Sequence, residues 1–239
     1  SRDTSTTTTL NIRFNYESQL DRYNQVKVGA EMWYTDLDVK YGLYDAFLKD
    51  NTFSTAYRRF PIKGAIYLRD KLEFEGMVAD LGLRADYLNP QGEWYVYDAY
   101  TSAFSGKNAD NIDEILPTEK IETQLLLSPR LGVSFPISET AKLFFNYGHF
   151  FQQPSSDNIF LLRQSGFDKS IVRIGDPSQP LPRTIAYELG YEQSIADEYL
   201  LRATAYYKDI SDEARLVSYE NRNSSVAYSQ YASVAYRDI

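Results

Sequence analysis

Apolar and polar residues alternate along most of this chain with a step of two. Leu10, Ile12, Phe14 and Tyr16 alternate with Asn11, Arg13 and Asn15. Val26, Val28, Ala30 and Met32 face away from Lys27, Gly29 and Glu31. The same step runs through Ala79, Leu81, Leu83, Ala85 and Tyr87, and through Leu125, Leu127, Leu131, Val133 and Phe135. It returns in Ile185, Tyr187, Leu189 and Tyr191, then in Leu201, Ala203, Ala205 and Tyr207. A strand turns successive side chains to opposite faces, so this step predicts β-strands with one apolar and one polar face each. A helix would step by three and four, and the glycines on the polar phase would weaken it. The chain reads as all-β.

The connections sharpen that reading. Short polar turns are predicted at 18–24, 74–76, 138–140 and 196–198, and long irregular segments at 42–60, 89–119, 152–182 and 211–228. Short and long connections alternate strictly, as they do in outer-membrane barrels with tight periplasmic turns and long outer loops. The segments 62–71 and 77–88 have at least the ~9–11 residues that cross a bilayer as a tilted strand. A lipid-facing Lys or Arg at mid-membrane costs roughly 2–4 kcal/mol, and the middles of the apolar faces carry none. Two positions disturb the pattern. Asp70 falls on the apolar phase, which points to the interface or a bulge, and Pro129 interrupts a strand, which points to an edge or a bulge.

Composition narrows the alternatives. The chain of 239 residues carries 33 acidic against 25 basic residues, a formal net charge of −8, which argues against a nucleic-acid partner. It has no Cys, so disulfides, thiolate metal sites and thiol nucleophiles are excluded. Tyr is abundant at 21 residues, mean hydropathy is −0.45, and no apolar run reaches the ~20 residues of a spanning helix.

Candidate chemistry is sparse. Tyr16, Trp33, Tyr34, Tyr41, Tyr87, Tyr147, Tyr191 and Tyr207 gather toward strand ends, as an interfacial girdle would, although Tyr is enriched in all strands. Trp94, Tyr95, Tyr97 and Tyr100 form a candidate ligand-stacking surface in a long loop; packing that loop onto its neighbours would use the same residues. Asp110, Asp113 and Glu114 lack the ligand spacing and central Gly of a calcium loop, so a solvated loop is expected and no metal site is assigned. His149, the single histidine, is expected near the outer end of a strand without a catalytic role. Glu188 and Glu192 share the polar phase and are expected to face an interior. No catalytic residue and no cofactor is predicted. Arg84, Arg130 and Arg202 beside Asp80, Asp86 and Glu188 leave the polar faces mixed in charge.

Several segments, in order, resemble the TonB-dependent receptor family. Tyr67-Leu68-Arg69-Asp70 followed by Gly82-Leu83-Arg84-Ala85-Asp86-Tyr87 resembles one of its hairpins. Ser128-Pro129-Arg130-Leu131-Gly132-Val133-Ser134-Phe135 resembles the next strand, and residues 146–154 the strand leading to an outer loop. Leu181-Pro182 with Tyr187-Glu188-Leu189-Gly190-Tyr191-Glu192 resembles a further signature, although Arg183 stands where the family usually has Glu. Ala205-Tyr206-Tyr207-Lys208-Asp209-Ile210 completes the series, and the spacing suggests the Bacteroidota-type branch with an extra N-terminal domain.

The resemblance implies an antiparallel transmembrane β-barrel of about 22 strands, of which 1–239 is a fragment of about nine or ten. Both ends of the chain read as cuts, with a plug expected before Ser1 and further strands after Ile239. It implies ligand-gated active transport across the outer membrane of a Gram-negative bacterium. The implied partners are outer-membrane lipid, the protein's own N-terminal plug, the TonB complex acting through that plug, and an imported ligand that the sequence does not identify. Two other readings stay open at this level: a soluble β-sandwich or adhesin-like binding module, and a passive porin.

Overall fold

The computed structural model describes residues 2–44, 53–97, 112–153, 155, 159–165, 171–196, 198–220 and 227–234. The first strands are β1 (Arg2–Asp3), β2 (Thr6–Gln19), β3 (Asn24–Leu43), β4 (Phe53–Arg59), β5 (Ile62–Phe74) and β6 (Met77–Asn89). A short ribbon pairs β7 (Glu93–Tyr95) with β8 (Thr118–Lys120), flanking the one-turn helix α1 (Ile112–Ile115). There follow β9 (Gln124–Pro136), β10 (Ala141–Phe151), β11 (Leu162–Ser165), β12 (Ile171–Ile174), β13 (Arg183–Ile195), β14 (Tyr199–Ser211), β15 (Glu213–Glu220) and β16 (Ala227–Val234).

Eight of these make an up-and-down meander in the order β2-β3-β5-β6-β9-β10-β13-β14, each antiparallel to its neighbours. They run 11 to 20 residues, enough to cross a bilayer when tilted. The strand β3 is the longest and has two partners end to end on one side. Its residues 24–34 pair with β5 and its residues 37–43 with β4, leaving Phe60 and Pro61 between the two ladders. Proline has no N–H to give a ladder, so the break falls where it costs least.

The four short turns form as the sequence predicts, all at one end of the meander. Between β2 and β3, Asp21 accepts hydrogen bonds from the backbone N–H groups of Tyr23 at 2.7 Å and Asn24 at 2.9 Å. Between β5 and β6 the register closes at Phe74 opposite Met77, and Gly76 takes φ +87°, a conformation that favours glycine. Ile137 donates its N–H to Ala141 at 2.9 Å in the third turn, and Ala196 adopts φ 53° in the fourth.

Neither irregular position is a bulge. Asp70 pairs with Val26 and Leu81 in an uninterrupted register and keeps its place on the apolar phase. Its Oδ1 is buried with no hydrogen-bond partner among the described residues. Pro129 holds regular register with Leu83, while the β9–β10 ladder stops at Arg130 opposite Gly148, one residue short of the proline.

The β-sandwich reading fails here. Among the described residues no second sheet lies on the apolar face of the meander, and its strands contact one another edge to edge. Leu81 and Leu189 are 45 % and 56 % exposed, where a sandwich would bury both. The packed core lies instead in the long connections, around Trp94, Leu116, Ile121, Phe160, Ile171 and Ile174. These loops build a cap against Leu37 of β3 and Tyr57 of β4.

Candidate functional site

The two faces of the meander differ in chemistry. On the apolar face, register lines up Leu81, Leu131, Tyr147, Tyr187 and Tyr207 across five strands. The three tyrosine rings follow one another at centroid distances of 5.1 and 6.1 Å. His149 shares a hydrogen bond of 2.6 Å with Tyr147, two residues nearer the loop end of β10. Tyr34 and Tyr87 lie on the same face toward the loops, while Tyr16, Phe135 and Tyr199 lie toward the turns. In β14, Tyr199 and Tyr207 are eight residues apart. At ~3.3 Å per residue and a tilt of ~40°, that is ~20 Å, near the ~25 Å apolar band of outer-membrane barrels. Trp33 leaves the expected girdle: it pairs with Asn11 and Lys63 and shares the phase of Glu31, so it belongs to the polar face.

The polar face is a ladder of ion pairs. Glu31 is nearly buried and takes Arg84 at 2.6 Å and Arg13 at 3.1 Å, and Arg84 also holds Asp86 at 2.8 Å. Arg69 pairs with Asp80 on the adjacent strand. Glu192 sits between Lys142, at 2.7 Å, and Arg202. Among the described residues, Glu188 accepts only the amide N–H of Asn146, at 3.3 Å. Both glutamates therefore lie on the polar face, the phase that the sequence assigns them. All of these bridges except Arg84–Asp86, which lies within β6, tie one strand to another, and exposed pairs such as Arg69–Asp80 contribute ~0–1 kcal/mol apiece.

Rings on this face lie flat over glycines. A Cβ at Gly29 would come within 2.4 Å of the Tyr67 ring, and one at Gly190 within 2.0 Å of the Phe144 ring. Here glycine is required by close approach, and the aromatic ring covers the backbone that it leaves bare.

The cap closes over the loop end of this face. Trp94 is buried and donates its indole N–H to the carbonyl of Gly175 at 2.8 Å; the Tyr97 hydroxyl donates to the same oxygen at 3.0 Å. Arg59 lies 5.3 Å from the Trp94 ring and 5.7 Å from that of Phe160. Burial lowers the Arg59 pKa from its ordinary value, yet guanidinium stays charged at any relevant pH. Burial pushes the neighbouring Asp176 carboxyl up, opposed by a hydrogen bond from the Ser178 N–H at 2.9 Å.

Of the candidate stacking residues, the structure brings together Trp94, Tyr95 and Tyr97, with Trp94 and Tyr95 ring centroids 5.6 Å apart. Tyr100 lies outside the described residues, as does Asp110; Glu114 is exposed on α1. Among the described residues no cluster of His, Asp and Glu could hold a metal ion. Sequence reasoning missed the Gly175–Asp176 hub of the cap, and it missed Lys63 as a wall residue. The alternation of Lys63, Ala65, Tyr67 and Arg69 carried the signal for Lys63.

Comparison with known proteins agrees with this architecture. The family model described as "TonB dependent receptor-like, beta-barrel" matches residues 1–237. No curated protein matches the chain by sequence. Among solved structures, the chain is similar to a variant of the ferric enterobactin receptor PfeA from Pseudomonas aeruginosa, with TM-score 0.63 and 14% identity over 97% of the chain and 32% of that protein. It is similar to the FrpB iron transporter from Neisseria meningitidis, with TM-score 0.58 and 14% identity over 96% of the chain and 31% of that protein. It is also similar to a double mutant of the hemophore receptor HasR from Serratia marcescens, in complex with its hemophore HasA and heme. There the TM-score is 0.55 and the identity 14%, over 96% of the chain and 44% of that protein. At these identities the likeness is one of fold, and the chain spans about a third of the length of the first two.

Proposed function

Since the chain belongs to the TonB dependent receptor-like β-barrel family, we propose that it forms part of the wall of an outer-membrane uptake receptor, working by ligand-gated, energy-coupled import. The observation that carries this reading is the asymmetry of the meander. One face is bare apolar side chain edged by aromatic belts, and the other is a ladder of ion pairs beneath a loop cap. Such a wall suits a lipid exterior and a wet interior.

The edges of the meander are β2 and β14. A bilayer core offers no water to satisfy unpaired backbone groups, so further strands must close the wall, giving a barrel of about 22 strands. In this proposal the barrel encloses an N-terminal plug, and the TonB complex acts on the plug to release ligand inward. The segment carrying Trp94, Tyr95, Tyr97 and Tyr100 is the proposed outer contact for that ligand, with Trp94 as its buried anchor.

The test is uptake. Cells with and without the gene, each with and without a working TonB complex, are given labelled ferric chelates, heme and copper, the kinds of cargo that solved relatives name. Accumulation of at least one cargo is expected to need both the gene and TonB. Accumulation that needs the gene but ignores TonB would replace the proposal with a passive porin.

A further inference from the structure

Among the described residues, two cations of the polar wall, Lys63 and Arg130, line one cavity without a carboxylate of their own. Just below the cap lies a cavity of about 550 Å³ whose lining includes Trp33, Lys63, Arg84, Asp86, Arg130 and Phe150. Its volume falls within the roughly 300–1,000 Å³ usual for small-molecule sites. Asp86 is the acid of this group, and Arg84 already holds it at 2.8 Å. Lys63 and Arg130 have no carboxylate within ion-pair distance among the described residues.

Both cations are placed to meet a ligand. Lys63 is half-buried, in register between Trp33 and Leu88. Arg130 is in register between Gly82 and Gly148, so no neighbouring side chain of its own row covers it. Its guanidinium lies 4.9 Å from the Phe150 ring, which fixes one face and leaves the donor edge free. Glu188, a wall acid with no cation partner among the described residues, lines the larger trough, as Arg130 also does, and does not line this cavity.

We propose that this cavity is a subsite for an anionic ligand, one bearing a carboxylate or similar oxyanion on a planar or apolar body. The charge is set by Lys63 and Arg130, and the body by the Trp33 and Phe150 rings. A forked guanidinium matches a carboxylate, and charge-assisted hydrogen bonds strengthen where water is partly excluded. The inference rests on the transport reading and narrows it: the imported solute is negatively charged where it meets the upper wall. The same carboxylate could instead come from an acidic side chain of the plug, which the experiment separates.

The full-length receptor in detergent is titrated calorimetrically with salicylate and with its neutral counterpart salicylamide. Salicylate is expected to bind at least about tenfold more tightly, and Lys63→Gln or Arg130→Gln each to weaken it by about tenfold without changing salicylamide. The charge-preserving pair Lys63→Arg with Arg130→Lys should keep most of the preference. If the glutamine variants fail to fold, that pair and the salt dependence of salicylate binding decide instead, and a preference that ignores salt overturns the proposal. Equal binding of the two probes, or glutamine variants that bind salicylate like the parent, also overturns it. A parent blind to salicylate whose glutamine variants melt at lower temperature assigns the cations to a carboxylate of the plug. TonB-dependent accumulation is scored separately. Accumulation without salicylate discrimination removes the subsite and leaves transport standing, whereas discrimination without TonB dependence does the reverse.

Discussion

The wall exposes its largest apolar side chains and the cap buries them. Leu81, Leu83 and Leu189 are 45, 47 and 56 % exposed, whereas Trp94, Phe160 and Ile174 are 6, 2 and 0 % exposed. A similar supply of apolar residues is thus used in opposite ways within one chain. In the wall, cohesion comes from backbone ladders and cross-strand ion pairs, and among the described residues no second layer covers the apolar face. In the cap, cohesion comes from packing and from two donors converging on one carbonyl. A hydrophobic residue therefore carries no fixed meaning until its surroundings are known.

The largest expected effect separates the two regions most directly. Trp94→Ala in the full-length protein should cost the cap ~3–5 kcal/mol, the usual range for truncating a buried Trp. Hydrogen exchange should then rise sharply at residues 159–162 and 171–174 while β6 and β9 stay protected. Equal loss of protection in those strands would show that cap and wall form one cooperative unit.

Next in size is the reverse experiment. Leu83→Arg places a charge on the exposed apolar side of β6 and, if that side meets lipid as proposed, should cost ~2–4 kcal/mol in reversible unfolding from lipid vesicles. A cost near zero there would mean that this face does not meet lipid.

Smaller is the cost of filling a glycine on the wet face. Gly190→Ala drives a methyl into the Phe144 ring and should cost ~1–3 kcal/mol by overpacking. Adding Phe144→Ala should recover most of the loss in the same titration. Strict additivity of the two substitutions would mean that the ring does not cover the glycine.

The smallest effect concerns acidity in the cap. Burial raises the Asp176 pKa, so folding favours its protonated form. Its stabilising contribution is complete below the unfolded value and is lost as pH rises through the folded one. Asp176→Asn should make resistance of the cap to limited proteolysis less dependent on pH. A parent whose cap resists cleavage better at neutral than at acid pH would reverse this sign.

Much of the wall was legible in the sequence, because a period of two leaves its mark on every strand. The four tight turns were legible too, since Asp21, Gly76 and their neighbours are local signals. The alternation also placed Glu188 and Glu192 inward, but it gave no register, so the bridges at Glu31 and Glu192 appear only once neighbours are fixed. Trp33 shows the same limit: its type suggests a girdle, and its parity assigns it to the wet side. The cap was hardest to read, because Trp94 meets the Gly175 carbonyl across 81 residues and no periodicity spans that distance. Asp70 and Pro129 mimicked bulge signals, yet both sit in regular ladders.

The meander carries a consequence for how the molecule assembles. Four of the seven long ladders, β2–β3, β5–β6, β9–β10 and β13–β14, close over tight turns at small entropic cost, whereas β3–β5, β6–β9 and β10–β13 close over the long connections. The Trp94 and Tyr97 contacts, 81 and 78 residues from their partner, have no such local route and must form after the ladders that bring Gly175 within reach. Pulse labelling that found Trp94 protected before β6 and β9 would contradict this order. The outermost layer of the protein is then the last to be finished.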